Sequence, residues 1–140
     1  AVLRAFTSIL GALTLALAGI ASVSLAVAGV GIMNVMLVSV SERTREIGLL
    51  KALGATSGQV LRIFLAEATT LSALGGLVGL VAAWLVTALV RGLYPSFPMQ
   101  APVWAVPSAV VVSLSVGVLF GVLPARRASR LDPIAALGRR

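Results

Sequence analysis

Three uninterrupted apolar runs dominate the chain: residues 5–41, 68–90 and 92–125 carry no Asp, Glu, Lys or Arg. Each exceeds the roughly 18 residues that mark a membrane-spanning candidate. A bilayer offers no water to backbone N–H and C=O groups, so only helices and closed barrels cross it. Barrel strands would alternate polar and apolar positions over about ten residues, and these runs do not alternate. The pattern predicts an all-α membrane protein with three transmembrane helices, over about 16–38, 67–90 and 104–124, and a short cytoplasmic helix between the first and second. The first run is longer than a bilayer needs. As helix, its 37 residues would extend about 55 Å against a hydrocarbon core of about 30 Å. Its N-terminal third is expected to project outward as a stalk or lie along the interface.

Between the first two runs stands SERTREIGLLKALGAT, residues 41–56, with five of the fifteen charged residues. Glu42 with Arg45 and Arg43 with Glu46 are i,i+3 pairs, each worth a few tenths of a kcal/mol on a solvated helix. Ile47, Leu50 and Gly54 share one stripe, and Leu49 and Leu53 a neighbouring one. The reading is a short amphipathic helix ended by Gly54, followed by Thr56-Ser57-Gly58-Gln59 as a capping box that opens the next helix. An interfacial helix resting on headgroups is the alternative. The equal number of acids and bases from Glu42 to Glu46 fits a protein partner that reads both signs better.

Charge then sets an orientation. The 42–62 connection carries Arg43, Arg45, Lys51 and Arg62, and the tail over 125–140 carries Arg126, Arg127, Arg130, Arg139 and Arg140. Arg4 and Arg91 stand on the other side. Basic residues concentrate in cytoplasmic loops, so the segment 41–60 and the C-terminus are expected in the cytoplasm, with the N-terminus and the 91–103 loop outside. That loop holds Pro95, Pro98 and Pro102, with Pro107 just beyond, and reads as a short non-helical hairpin. Trp84, Tyr94 and Trp104 mark the outer boundary as an aromatic belt. The net charge of +7 is therefore read as membrane orientation, with no nucleic-acid partner. Arg4 and the AVA at 26–28 resemble a secretory signal, but the apolar run is too long for one. An opening residue other than Met and an exported N-terminus lead us to expect a piece of a longer polypeptide.

Chemistry has little raw material here. The chain has no Cys, no His and four acids, which leaves almost nothing for a catalytic or metal site. No cofactor is expected. No ionisable residue occupies the middle of a span, where it would cost about 3 kcal/mol or more, so an ion-coupled carrier is disfavoured. Lipid gives helices no hydrophobic reason to associate, and small residues that permit close backbone approach take that role. The third span has Ala109, Ser113, Gly117, Gly121 and Ala125 at four-residue spacing. The second has Gly75, Gly79 and Ala83, with Ser72 and Gly76 on a neighbouring stripe. The first has Ala18, Ser22 and Ala26. These faces are expected to pack on one another and on a second copy or another span, although an Ala- and Gly-rich chain also produces such spacings by chance. Gly117 is expected on the packing face and Val116 off it. Asn34, near the inner end of the first span, is expected to make an interhelical hydrogen bond. Arg126, Arg127 and Arg130 are read as lying beside anionic headgroups of the membrane lipids. Asp132 with Pro133 is read as the cap and first residue of a last short helix. Glu67 is placed at the interface near Arg62.

GIMNVMLVSVSERTREIGLLKALGA (residues 31–55), FLAEA (64–68) and LPARRASRLDPIAAL (123–137) resemble the FtsX-like, MacB-type ABC transporter permeases. The order and spacing agree over most of the chain. Leu50 departs from the basic residue that many members carry there. The resemblance implies a non-catalytic bacterial inner-membrane permease that dimerises, with itself or a related permease, and binds a cytoplasmic ABC ATPase subunit. It implies that Glu42, Arg43, Arg45, Glu46, Ile47, Gly48 and Lys51 form the coupling helix that touches this ATPase. It also implies an upstream span and an extracytoplasmic domain, neither of which this sequence contains. No phosphate-binding G-x-x-x-x-G-K-[ST] loop occurs, so ATP hydrolysis would belong to a partner or to a domain outside this sequence. The competing expectation is an independent homo-oligomeric pore or scaffold, for which a charged helix at 42–55 has no evident use.

Overall fold

The computed structural model describes residues 2–95 and 101–137. It consists of five helices: α1 Val2–Glu42, α2 Thr44–Ala52, α3 Ser57–Leu93, α4 Ala105–Ser129 and α5 Pro133–Leu137. No strand occurs among the described residues. α1, α3 and α4 are the three helices long and apolar enough to cross a membrane. At 41 and 37 residues, α1 and α3 extend about 60 and 55 Å, well beyond a hydrocarbon core. Hydroxyls within these helices are satisfied locally: Ser22 donates to the Ala18 carbonyl at 2.8 Å, Thr70 to Ala66 at 2.8 Å and Thr87 to Ala83 at 2.7 Å. Back-bonding of this kind lets Ser and Thr sit in lipid at little cost.

Antiparallel α3 and α4 form the closest pair. Gly117 lies against Ser72 and Thr69, Gly121 against Ala68, and Gly76 against Ser113. A Cβ on Gly117 would stand 2.7 Å from the Ser72 Cβ and 3.0 Å from the Thr69 Cα. Only bare backbone fits at that separation. Two reciprocal hydrogen bonds lock the register. The Ser72 hydroxyl donates to the Ser113 carbonyl, and the Ser113 hydroxyl donates to the Ser72 carbonyl at 2.6 Å. The third-span stripe thus lies against Ala68, Ser72 and Gly76 of α3.

The stripe of Gly75, Gly79 and Ala83 is not in that contact. A Cβ on Gly75 or Gly79 would meet nothing, and Ala83 is exposed. These residues line a cavity of about 620 Å³, walled by Leu25, Ala28 and Ile32 of α1 and by Val112 of α4. Val116 also faces it and is buried, contrary to its expected lipid-facing position. The Ala18, Ser22 and Ala26 stripe is exposed too, because α1 meets its neighbours mainly from Gly29 onward. There Gly29 lies under the Phe120 ring.

The compact core gathers at the end of the molecule that carries α2. Met36 and Val40 of α1, Ile47 of α2, Val60, Phe64 and Ala68 of α3, and Ala125 and Ala128 of α4 form one cluster. α4 runs five residues past the predicted span end, through Pro124, whose ring is fully buried. Proline lacks an N–H and commonly disrupts a helix. Buried Ala125 and Ala128 provide the packing that carries the helix beyond it. At the far end, Tyr94 and Trp104 cap α3 and α4 and, like Trp84, are exposed. Pro98 of the expected hairpin lies outside the described residues.

Candidate functional site

α2 is defined by local chemistry at both ends. Arg43 forms a turn with φ −93° and ψ 13° that separates it from α1. Its C-terminus closes as a Schellman motif: the Ala55 N–H donates to the Leu50 carbonyl and the Gly54 N–H to the Lys51 carbonyl, each at 3.0 Å. Gly54 takes φ +103°, the left-handed region that glycine enters without a Cβ penalty. Two residues later the Thr56–Gln59 capping box starts α3, with the Gln59 N–H donating to Thr56 Oγ1 at 3.3 Å and the Thr56 N–H to Gln59 Oε1 at 2.8 Å. The helix is therefore held at a sharp, specified angle between two long ones.

It has two faces. Arg43, Ile47 and Lys51, four residues apart and so on one side, each reach another helix or its end, although Arg43 stays half exposed. Arg43 Nη1 lies 3.5 Å from Glu67 Oε1 on α3. Ile47 is 2% exposed within the core cluster, and Gly48 beside it is buried. Lys51 Nζ donates to the carbonyls of Ser129 at 2.9 Å and Leu131 at 2.7 Å. On the other side Glu42, Arg45 and Glu46 are exposed, and so are Leu49, Leu50 and Leu53. The seven residues expected to touch an ATPase are thus divided. Glu42, Arg45 and Glu46 are presented outward, while Arg43, Ile47, Gly48 and Lys51 hold the helix in place.

The expected local pairs Glu42–Arg45 and Arg43–Glu46 do not close; Arg43 reaches α3 instead. Glu67, placed near Arg62 by sequence, is its partner. An isolated acid at the edge of a long apolar run is the one sequence signal for that pair. Asn34 makes no interhelical hydrogen bond among the described residues. It is exposed and lines a shallow outer groove with Val35, Val38, Ser39 and Glu42. The tail forms its expected cap, with the Ile134 N–H donating to Asp132 Oδ1 at 3.0 Å. Sequence gave no hint that α5 would pack on α2, as it does. Arg126, Arg127 and Arg130 are exposed, and Arg139 and Arg140 lie outside the described residues.

Three apolar helices gathered at one end around a two-faced polar helix define a multi-pass helical membrane protein. A family model described as FtsX-like permease C-terminal matches residues 18–133, and the chain belongs to that family. The macrolide export ATP-binding/permease protein MacB of Hahella chejuensis is 49% identical over 138 residues, 99% of this chain and 21% of its own length. The MacB of Rhodopirellula baltica is 54% identical over 118 residues, 84% of this chain and 17% of its own length. The uncharacterized ABC transporter permease YknZ of Bacillus subtilis is 48% identical over 125 residues, 89% of this chain and 31% of its own length. The chain spans about a fifth of the length of the MacB relatives it matches.

Proposed function

We propose that this chain is the membrane-embedded, non-catalytic part of an ABC permease and that a cytoplasmic ATPase grips it at α2. The observation that carries the reading is the division of that helix. Its outward face alternates acid, base and leucine (Glu42, Arg45, Glu46, Leu49, Leu50), which suits a protein surface with charges of both signs around an apolar centre. Its inward face bonds to α3 through Arg43 and to the end of α4 through Lys51, and seats Ile47 in the core shared with α1, so a displacement of α2 would be passed to the long helices. In this reading α2 and the C-terminal tail lie in the cytoplasm of a bacterial cell and the start of α1 lies outside, following the distribution of basic residues. ATP-driven movement becomes export or mechanical work on the outer side. The exposed Asn34 amide offers a contact for a second copy or a related permease, the cavity lined by Gly75, Gly79 and Ala83 leaves room for a further helix between α1 and α4, and the exposed arginines of the tail meet anionic lipid. An independent pore would leave the outward face of α2 unused.

The test is retention of the ATPase by the purified permease. Glu46→Arg is expected to weaken retention about tenfold or more, the scale of one lost charge contact at an interface. Arg62→Glu reverses an exposed charge on α3 and should leave retention as it was. Equal losses from both variants would mean that total charge, and not the α2 face, governs binding.

A further inference from the structure

The end of α4 has a complete hydrogen-bond account in which one donor is a side chain from another helix. A helix leaves its last carbonyls without intrahelical donors. Here the Arg126 carbonyl accepts from the Arg130 N–H and the Ser129 hydroxyl, Arg127 from the Arg130 N–H, and Ala128 from the Leu131 N–H. The Ser129 carbonyl, on a residue only 7% exposed, accepts from Lys51 Nζ, which also serves the Leu131 carbonyl that leads into α5. An ammonium group has three donors and no acceptor, and its charge is favoured at a helix C-terminus. α5 itself packs on α2, with Ala136 buried.

We infer that Lys51 is a positioning residue that locks α2 to the end of α4, so that the coupling helix and the third span move as one body. A push on α2 then reaches α4 through Lys51 and α3 through the Ile47 seat and the Arg43–Glu67 pair, and the Ser72–Ser113 bonds hold those two spans together. The part played by the ATPase rests on the function proposed above; the lock itself does not.

The experiment uses the full-length protein in lipid, with nitroxides on cysteines replacing exposed Ala52 of α2 and Leu123 of α4, and reads their separation by EPR with and without the ATPase and ATP. With Lys51 present, one narrow separation is expected in every nucleotide state. Lys51→Met should broaden it, Lys51→Arg should restore it, and both should retain the ATPase. A narrow separation in Lys51→Met would overturn the inference, as would a shift on ATP binding in the unaltered chain. Loss of the ATPase from Lys51→Met with the separation intact would place Lys51 at the partner and overturn it as well. The measurement without ATPase decides the lock even if α2 docks nothing, so the two readings fail separately.

Discussion

Gly117→Leu separates α3 from α4 and lowers the stability of the membrane-embedded fold. A Cβ there already falls within 3.1 Å of the Ala68 carbonyl oxygen as well as against the Thr69 Cα. Neither is the end of a flexible side chain. The leucine can be housed only by moving one helix off the other, which also breaks the reciprocal Ser72–Ser113 bonds one turn away. Forcing extra methylene groups into a closely packed contact costs about 1–3 kcal/mol, and the lost hydrogen bonds add about 1 kcal/mol. Thermal unfolding in lipid nanodiscs measures the effect. Val111→Leu is the control, because Val111 is exposed on the same helix and a leucine there should melt like the parent chain. Equal melting of the two variants would mean that the α3–α4 contact is not what holds these helices together.

The second large effect separates two residues that helical spacing alone puts together. Ile47→Ala should cost about 2–5 kcal/mol, the usual range for emptying a buried aliphatic site, and should release α2 from its seat against Met36, Val60 and Phe64. Hydrogen exchange in 44–52 would then rise sharply and ATPase retention would fall with it. Leu50, 47% exposed, contributes little to that seat. Leu50→Ala should leave exchange protection as it is and weaken ATPase retention alone. If Leu50→Ala loosened the helix, or Ile47→Ala did not, the two faces would have been assigned the wrong way round.

Those residues also show where sequence reasoning reaches its limit. Ile47 and Leu50 lie three apart on a nine-residue helix, and a period of 3.6 does not say on which side of such a stripe the core will lie. The long helices were legible because a bilayer imposes a length and excludes charge, and 68–90 and 92–125 satisfy both demands without ambiguity. The Gly54 stop and the Thr56–Gln59 box were legible because caps are local chemistry. The face that α3 offers was not. Gly75–Gly79–Ala83 and Ser72–Gly76 meet the same small-residue spacing, and only the register against Gly121, Gly117 and Ser113 selects between them. Nor did the chain announce the partners of Lys51. Backbone carbonyls at 129 and 131 have no residue signature, so an inward lysine and an outward one read alike. Glu67 met its partner 24 positions away, where i,i+3 reasoning does not look.

An ATPase can work on the outward face of α2 only if that face lies in the cytosol. The chain has no cysteine, so Arg45→Cys introduces one reactive thiol into it at an exposed position of that face. A membrane-impermeant thiol reagent should leave this thiol unlabelled in intact cells and label it in inside-out vesicles, with less labelling once the ATPase is bound. Labelling of position 45 from outside intact cells would contradict the orientation, and with it the proposal that a nucleotide-hydrolysing partner works on this helix.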